Sequence, residues 1–234
     1  MIPLPSRPVA QPAPSLRQFV SHQQACSALV AQVAADLDLA VARRGVASLA
    51  VPGGTTPAEF LLLLGYRDLA WPAIQVTLTD ERWVPPTHER SNAALVSRTL
   101  GRNGRPYRWF PLWRTDSTAD VAVSDIERAA SELAWPLDVV VLGMGEDGHV
   151  ASLFPGDDAG FAPAGSSRFA AVRGPGDESR VSLTANAITQ ARSVYLLIRG
   201  DDKRAVLRAA SGSDLPIARV LAARQGELVV YASP

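Results

Sequence analysis

Five short, mostly apolar runs recur along this chain, Val46–Val51, Ile74–Thr79, Leu137–Leu142, Ser193–Arg199 and Glu227–Tyr231, with helix-patterned segments between them. A strand with one wet face alternates polar and apolar residues. A strand buried on both faces is apolar throughout, as in the Val139-Val140-Val141 centre of the third run. Strands of the second kind that alternate with helices form parallel sheets, because each parallel crossover lays a helix on a sheet face. The expected fold class is therefore α/β: a Rossmann-like, mostly parallel sheet with helices on both faces.

The helical segments have their own punctuation. From Leu16 the apolar residues Phe19, Val20, Cys26, Leu29, Val30, Val33, Leu37 and Val41 recur at threes and fours as far as Gly45, which takes the place of the glycine just past a helix C-terminus. Thr56, Pro57 and Glu59 spell another helix start, with Thr56 as N-cap, Pro57 at the first helical position and Glu59 closing a capping box. Further helices are expected over Ser91–Leu100, around Val121–Leu133 and from Asp201. A chain of 234 residues can hold one large domain or two small ones at about 100 to 200 residues each. With no internal repeat, a single domain over 16–234 is expected. Residues 1–15, with Pro3, Pro5, Pro8, Pro12 and Pro14, read as a flexible arm. The stretch from Pro155 to Gly176, rich in Gly, Pro, Ala and Ser without periodicity, reads as a mobile loop over the site.

Charge and cysteine usage narrow the partners. Lys plus Arg and Asp plus Glu both count 23, so no bulk field favours nucleic acid and no basic tract marks a membrane surface. No uninterrupted apolar stretch reaches the ~18 residues of a membrane span. Cys26 is the only cysteine, which excludes an intrachain disulfide and a cysteine-built zinc cluster and points to a reducing compartment. The expectation is a cytoplasmic protein with a small-molecule partner and neither nucleic acid nor membrane as partner; the oligomeric state stays open.

In parallel α/β sheets ligands bind beyond the carboxyl ends of the strands, so the residues just past each run are the informative ones. After the first comes Gly53-Gly54-Thr55-Thr56 at a helix start, where backbone N–H groups and the positive helix end suit a phosphate as well as a tight turn. After the second comes Asp80-Glu81-Arg82, which taken alone reads as a solvated turn. The third runs into Leu142-Gly143-Met144-Gly145-Glu146-Asp147-Gly148-His149. Its G-x-G-x-x-G spacing is not a dinucleotide fingerprint, because Pro155 and Gly156 interrupt the helix such a motif should open. His149 is the only one of three histidines to come after a strand end, and imidazole titrates where neutral-pH proton transfer needs it. Asp147, two residues earlier, is placed to orient it. After the fourth comes Gly200-Asp201-Asp202-Lys203, whose lysine, the only one in the chain, opposes the helix dipole unless an anion is near. Together these ends supply a glycine cradle, Arg82, Lys203 and a histidine with acidic neighbours, a set suited to acid–base chemistry on a phosphorylated substrate.

The same blocks, with Pro52 and Pro57 around the glycine loop, Trp83-Val84-Pro85 and Ser91-Asn92 after Arg82, Ala151-Ser152-Leu153-Phe154-Pro155-Gly156 after His149, and Arg180-Val181-Ser182-Leu183-Thr184, resemble the glucosamine-6-phosphate isomerase/6-phosphogluconolactonase family from about residue 16 to the end. Val150 departs from the family's threonine, and Ala185-Asn186-Ala187 from a proline-containing stretch. The resemblance implies the fold of glucosamine-6-phosphate deaminase and ribose-5-phosphate isomerase. It also implies a hydrolase that needs neither cofactor nor metal and opens the ester of a sugar-phosphate lactone, 6-phospho-D-glucono-1,5-lactone. On that reading His149 and Asp147 are catalytic, and Gly53, Gly54, Thr55, Asp80, Arg82 and Lys203 bind substrate, Asp80 through a hydroxyl. Two alternatives share the pocket. Deaminases of the family carry a glutamate where this chain has Phe154, and a non-catalytic sugar-phosphate sensor needs no proton shuttle.

Overall fold

The computed structural model describes residues 14–161 and 167–234. Seven parallel strands form the main sheet: Ser15–Gln18 (β1), Ala47–Val51 (β2), Ile74–Leu78 (β3), Arg108–Trp109 (β5), Val139–Leu142 (β6), Ser193–Arg199 (β9) and Leu228–Ser233 (β10), side by side in the order β1-β10-β9-β6-β2-β3-β5. All five apolar runs are strands of this sheet. Every residue of β2, β6 and β10 is buried. Because successive side chains point to opposite faces, both faces are covered, which is what the unbroken apolar pattern implied.

His22–Arg44 (α1) lies against β2, β9 and β10 through Cys26, Leu29, Val33 and Leu37, all fully buried. It is long and apolar enough to cross a membrane by length and composition. Gly45 closes it in the left-handed region at φ 72°, its N–H donating to the Val41 carbonyl at 2.8 Å. The helix begins later than the spacing suggested: Leu16 belongs to β1, which pairs only with β10. Ala58–Gly65 (α2) also starts later than expected. Pro57 occupies the cap position, the capping box does not form, and Thr56 stays in the loop. Asn92–Arg98 (α3) is capped by the Ser91 hydroxyl, and Ala119–Ala129 (α4), Ala185–Gln190 (α5), Asp201–Ala209 (α6) and Pro216–Ala223 (α7) complete the helices of the described residues.

A second, antiparallel sheet was not expected. Asp80–Arg82 (β4), Phe169–Gly174 (β7) and Glu178–Leu183 (β8) pair in the order β4-β8-β7. Asp80-Glu81-Arg82 is thus a strand rather than a solvated turn. The expected loop from Pro155 to Gly176 contains β7 and a short helical turn at Ala159–Phe161, while 162–166 lie outside the described residues. Thr79 joins the two sheets: its N–H donates to the Val51 carbonyl at 2.9 Å and its carbonyl accepts from Leu183 N–H at 2.7 Å. The expected arm, residues 1–15, falls almost wholly outside the described residues, which reach it only at Pro14 and Ser15.

Candidate active site

The carboxyl ends of β2, β3, β6 and β9 and the face of the second sheet enclose a cleft of about 240 Å³, with Gly53, Gly54, Thr55, Asp80, Arg82, His149, Arg180 and Lys203 among its lining. Seven of the eight residues assigned from sequence are therefore in one place. The eighth, Asp147, stands behind His149.

Gly143 to His149 leaves β6 as a tight loop closed by its own backbone: Gly148 N–H donates to the Gly145 carbonyl at 3.1 Å, and Gly145 N–H to the His149 carbonyl at 3.0 Å. Gly148 sits at φ +78°, a conformation a side chain would strain, and its carbonyl accepts from Ile217 N–H of α7 at 3.0 Å. Within this loop Nδ1 of His149 is 2.6 Å from Oδ1 of Asp147, which also accepts the His149 backbone N–H at 3.2 Å. Burial alone would raise the Asp147 carboxyl. The His149 N–H, the neighbouring imidazole charge and the ring hydrogen bond outweigh it and hold the carboxyl below its ordinary range. An ionised carboxylate only accepts, so Nδ1 carries a proton, and in the neutral ring Nε2 is the nitrogen with the lone pair. Among the described residues Nε2 has no hydrogen-bond partner. Gly145 makes room for the pair: a Cβ there would fall 2.3 Å from the His149 ring.

The glycine loop is shaped by α3. A Cβ on Gly53 would lie 1.8 Å from Oδ1 of Asn92, so only glycine lets the loop pass this side chain. Asn92 is itself fixed, donating from Nδ2 to the Asp80 carbonyl at 2.8 Å. Glu81, fully buried, anchors the start of α3 by accepting from Asn92 N–H at 2.7 Å, Ala93 N–H at 2.8 Å and the Ser91 hydroxyl at 2.9 Å. Burial raises its carboxyl above the usual range against the pull of these donors.

Three cations line the cleft. Lys203, in the first turn of α6, has no ion pair or hydrogen bond among the described residues, while its neighbour Asp201 pairs with Arg204. Arg82 donates from Nη1 to the Arg90 carbonyl at 2.6 Å, and its buried Nε has no partner among the described residues. Arg180, which was not among the residues assigned to the site from sequence, holds Glu178 at 2.7 Å and stands 3.9 Å from Asp80, again with an unpartnered buried Nε. Burial, and then the charges of Arg82 and Arg90, lower its pKa while Asp80 and Glu81 oppose them. Asp80 accepts from Ser152 Oγ at 2.6 Å and Thr79 Oγ1 at 3.1 Å, which leaves carboxylate lone pairs free for a ligand. The Phe154 ring centroid is 4.9 Å from that of His149.

A glycine loop, three cations and an aspartate-paired imidazole lie together at the carboxyl end of a parallel sheet, where α/β enzymes carry their active sites, and the protein is an enzyme. More narrowly, the chain belongs to the glucosamine-6-phosphate isomerases/6-phosphogluconolactonase family, whose model matches residues 20–230. It is similar to the 6-phosphogluconolactonases of Mesorhizobium japonicum, at 41% identity over 92% of this chain and 94% of that protein, and of Rhizobium meliloti, at 38% identity over 92% and 97%. The crystal structure of a 6-phosphogluconolactonase from Shewanella baltica superposes with a TM-score of 0.90 at 33% identity, covering 94% of this chain and 98% of that one.

Proposed function

We propose that this chain is a 6-phosphogluconolactonase, hydrolysing 6-phospho-D-glucono-1,5-lactone to 6-phospho-D-gluconate in the oxidative pentose phosphate pathway. The observation that carries the reading is the 2.6 Å contact from His149 Nδ1 to Asp147, which turns Nε2 toward other partners in a cleft with Lys203, unpaired among the described residues. Nε2 takes a proton from water as the water oxygen bonds to C1. The imidazolium then returns that proton to the ring oxygen as the C1–O bond breaks, and the new carboxylic acid loses its own proton to solvent. Asp147 holds the ring in one tautomer and stabilises its charged form, the part a carboxylate plays in a catalytic triad. The Gly53–Thr55 amides, Arg82 and Lys203, with Arg180 beside them, hold the phosphate, and Asp80 accepts a hydroxyl. No step calls for a metal or a cofactor. The buried, unpaired Cys26 suits a reducing compartment, in keeping with a cytoplasmic enzyme.

Phe154 against His149 favours the lactonase over a deaminase, since an apolar ring supplies no carboxylate there. The test is incubation of pure protein with the lactone and, separately, with glucosamine 6-phosphate, following acid and ammonia release with spontaneous lactone hydrolysis subtracted. Acid release from the lactone alone is expected. Ammonia release would install the deaminase, and binding without turnover of either would install a sensor.

A further inference from the structure

Behind the glycine loop, three donor atoms converge on one imidazole nitrogen, and of the residues involved only Thr56 also lines the cleft. His22 and Cys26 stand one turn apart at the start of α1, and Glu59 lies in the first turn of α2. Nε2 of His22 is 2.9 Å from the Thr56 carbonyl oxygen, 3.4 Å from Cys26 Sγ and 3.9 Å from Glu59 Oε2. The ligand atoms of the three side chains all lie within 4.8 Å of one another. A single ring N–H cannot serve all of these. A carbonyl only accepts, so the proton on Nε2 goes to Thr56, and the thiol and carboxylate are left facing the same nitrogen. Nδ1 meets Ser233 Oγ at 3.4 Å, a hydroxyl able to donate or accept, the kind of outer partner that orients a metal-bound histidine.

With metal–N and metal–O bonds of about 2.0–2.1 Å and metal–S of about 2.3 Å, neighbouring ligand atoms of a tetrahedral site stand roughly 3.3–3.5 Å apart. The observed 3.4 Å fits as it stands, while the 3.9 Å to Glu59 has to close and the 2.9 Å to Thr56 has to open by about 0.5 Å each. One sulfur, one imidazole and two oxygens suit a borderline divalent ion, whereas calcium and magnesium take oxygen shells. Glu59, 39% exposed, opens the cluster to solvent.

We propose that His22 Nε2, Cys26 Sγ and the Glu59 carboxylate, with the Thr56 carbonyl as fourth donor, form a binding site for a zinc-type divalent ion, separate from the reaction centre. On binding, a sulfur–metal bond replaces S–H and the thiol proton leaves to solvent. The His22 ring proton transfers through solvent to Nδ1, which then donates to Ser233, and Thr56 exchanges the His22 N–H for the ion. The probe is Co²⁺, titrated into chelator-treated full-length protein and followed by thiolate-to-cobalt charge-transfer absorption. Cys26 is the only cysteine, so the band reports this site and is blind to metal at His149. A band saturating at one equivalent and displaced by Zn²⁺ is expected in the wild type and in His149→Ala. It disappears in Cys26→Ser, and Co²⁺ affinity falls by at least roughly 10-fold in Glu59→Gln, the low end of the loss an outer-shell partner alone brings. No band under excess Co²⁺, or an affinity unchanged in Glu59→Gln, overturns the proposal. Should Cys26→Ser fail to fold, Glu59→Gln, at a partly exposed side chain, decides it.

Discussion

Gly145→Ala perturbs the His149–Asp147 pair while leaving both side chains in the protein. An ideal Cβ at Gly145 lies 2.3 Å from His149 Cε1 and Nδ1 and 2.6 Å from Asp147 Oδ1. Favourable contact between such atoms begins near ~3.5 Å, so the imidazole has to retreat by about 1 Å or the pair has to come apart. The backbone is no obstacle, because Gly145 is not among the residues at positive φ. The His149 and Asp147 side chains are 31% and 47% exposed, so they can turn outward without disturbing the core, and stability is expected to change by no more than about 0.5 kcal/mol. The loss falls on catalysis instead. Misplacing a reacting group by ~1 Å costs about 100-fold, and losing a general acid–base residue altogether costs roughly 100- to 10,000-fold. The variant is expected in that range, in kcat rather than KM, because the groups proposed to hold the phosphate are untouched. The assay is acid release from the lactone with the spontaneous rate subtracted, beside 6-phosphogluconate inhibition to show that the phosphate subsite survives. Gly143→Ala is the comparison: its Cβ meets nothing within 4 Å, and the pair stays intact. Wild-type kcat in Gly145→Ala would refute the assignment of His149 and Asp147 as a unit.

Other expectations rest on single interactions. Lys203→Ala removes one charge-assisted contact worth roughly 1.5 to 3 kcal/mol, so inhibition by inorganic phosphate should weaken about 10- to 100-fold, while thermal stability holds or rises because an unpaired cation leaves the start of α6. Asp147→Asn should lower kcat by up to roughly 10,000-fold through loss of the tautomer-fixing acceptor. Because the Asp147 carboxyl is held below its ordinary 3.8, its contribution to stability is complete above that value and fades as pH falls through the lowered native one. Melting curves on acidification should therefore show a loss in wild type that Asp147→Asn lacks. Glu81→Gln turns an amide donor toward a carboxylate site that already receives the Ser91, Asn92 and Ala93 donors, and should cost about 1 to 3 kcal/mol in urea unfolding.

How legible each element is in the chain depends on where it gets its stability. β6 and β9 were legible because burial on both faces leaves an unbroken apolar record in four and five consecutive residues. β1 was not. Its Ser15, Arg17 and Gln18 sit at the sheet edge, and Leu16 is spaced from Phe19 like one helical turn from the next. β4 was hidden more thoroughly, since Asp, Glu and Arg in succession look solvated unless the groups that satisfy them are known. Those groups are distant in sequence: Ser152 for Asp80, and the start of α3 for Glu81. In β7 the small residues Ala170, Ala171 and Gly174 dilute the pattern, and strand pairing with β8 supplies what propensity does not.

The site was more legible than the fold around it, and Arg180 marks where that legibility ends. Searching beyond the carboxyl ends of parallel strands finds the glycine loop, His149 and Lys203, because those residues sit on crossovers that leave the sheet at its ligand-binding edge. That rule says nothing about an antiparallel sheet. Arg180 lies mid-strand in β8, opposite Arg82 in β4, and reaches the cleft only because Thr79 divides its two backbone hydrogen bonds between the sheets. The parallel sheet therefore supplies the His149–Asp147 pair and the glycine-loop amides, and the antiparallel sheet supplies two guanidiniums and the Asp80 carboxylate. Arg82 and Arg180 are like charges set on neighbouring strands, a pairing that destabilises a sheet unless an anion offsets it. Glu178 and Asp80 meet part of that demand from Arg180. The Nε atoms of Arg82 and Arg180 and the Lys203 ammonium, without partners among the described residues, are what the proposed function leaves for a phosphate.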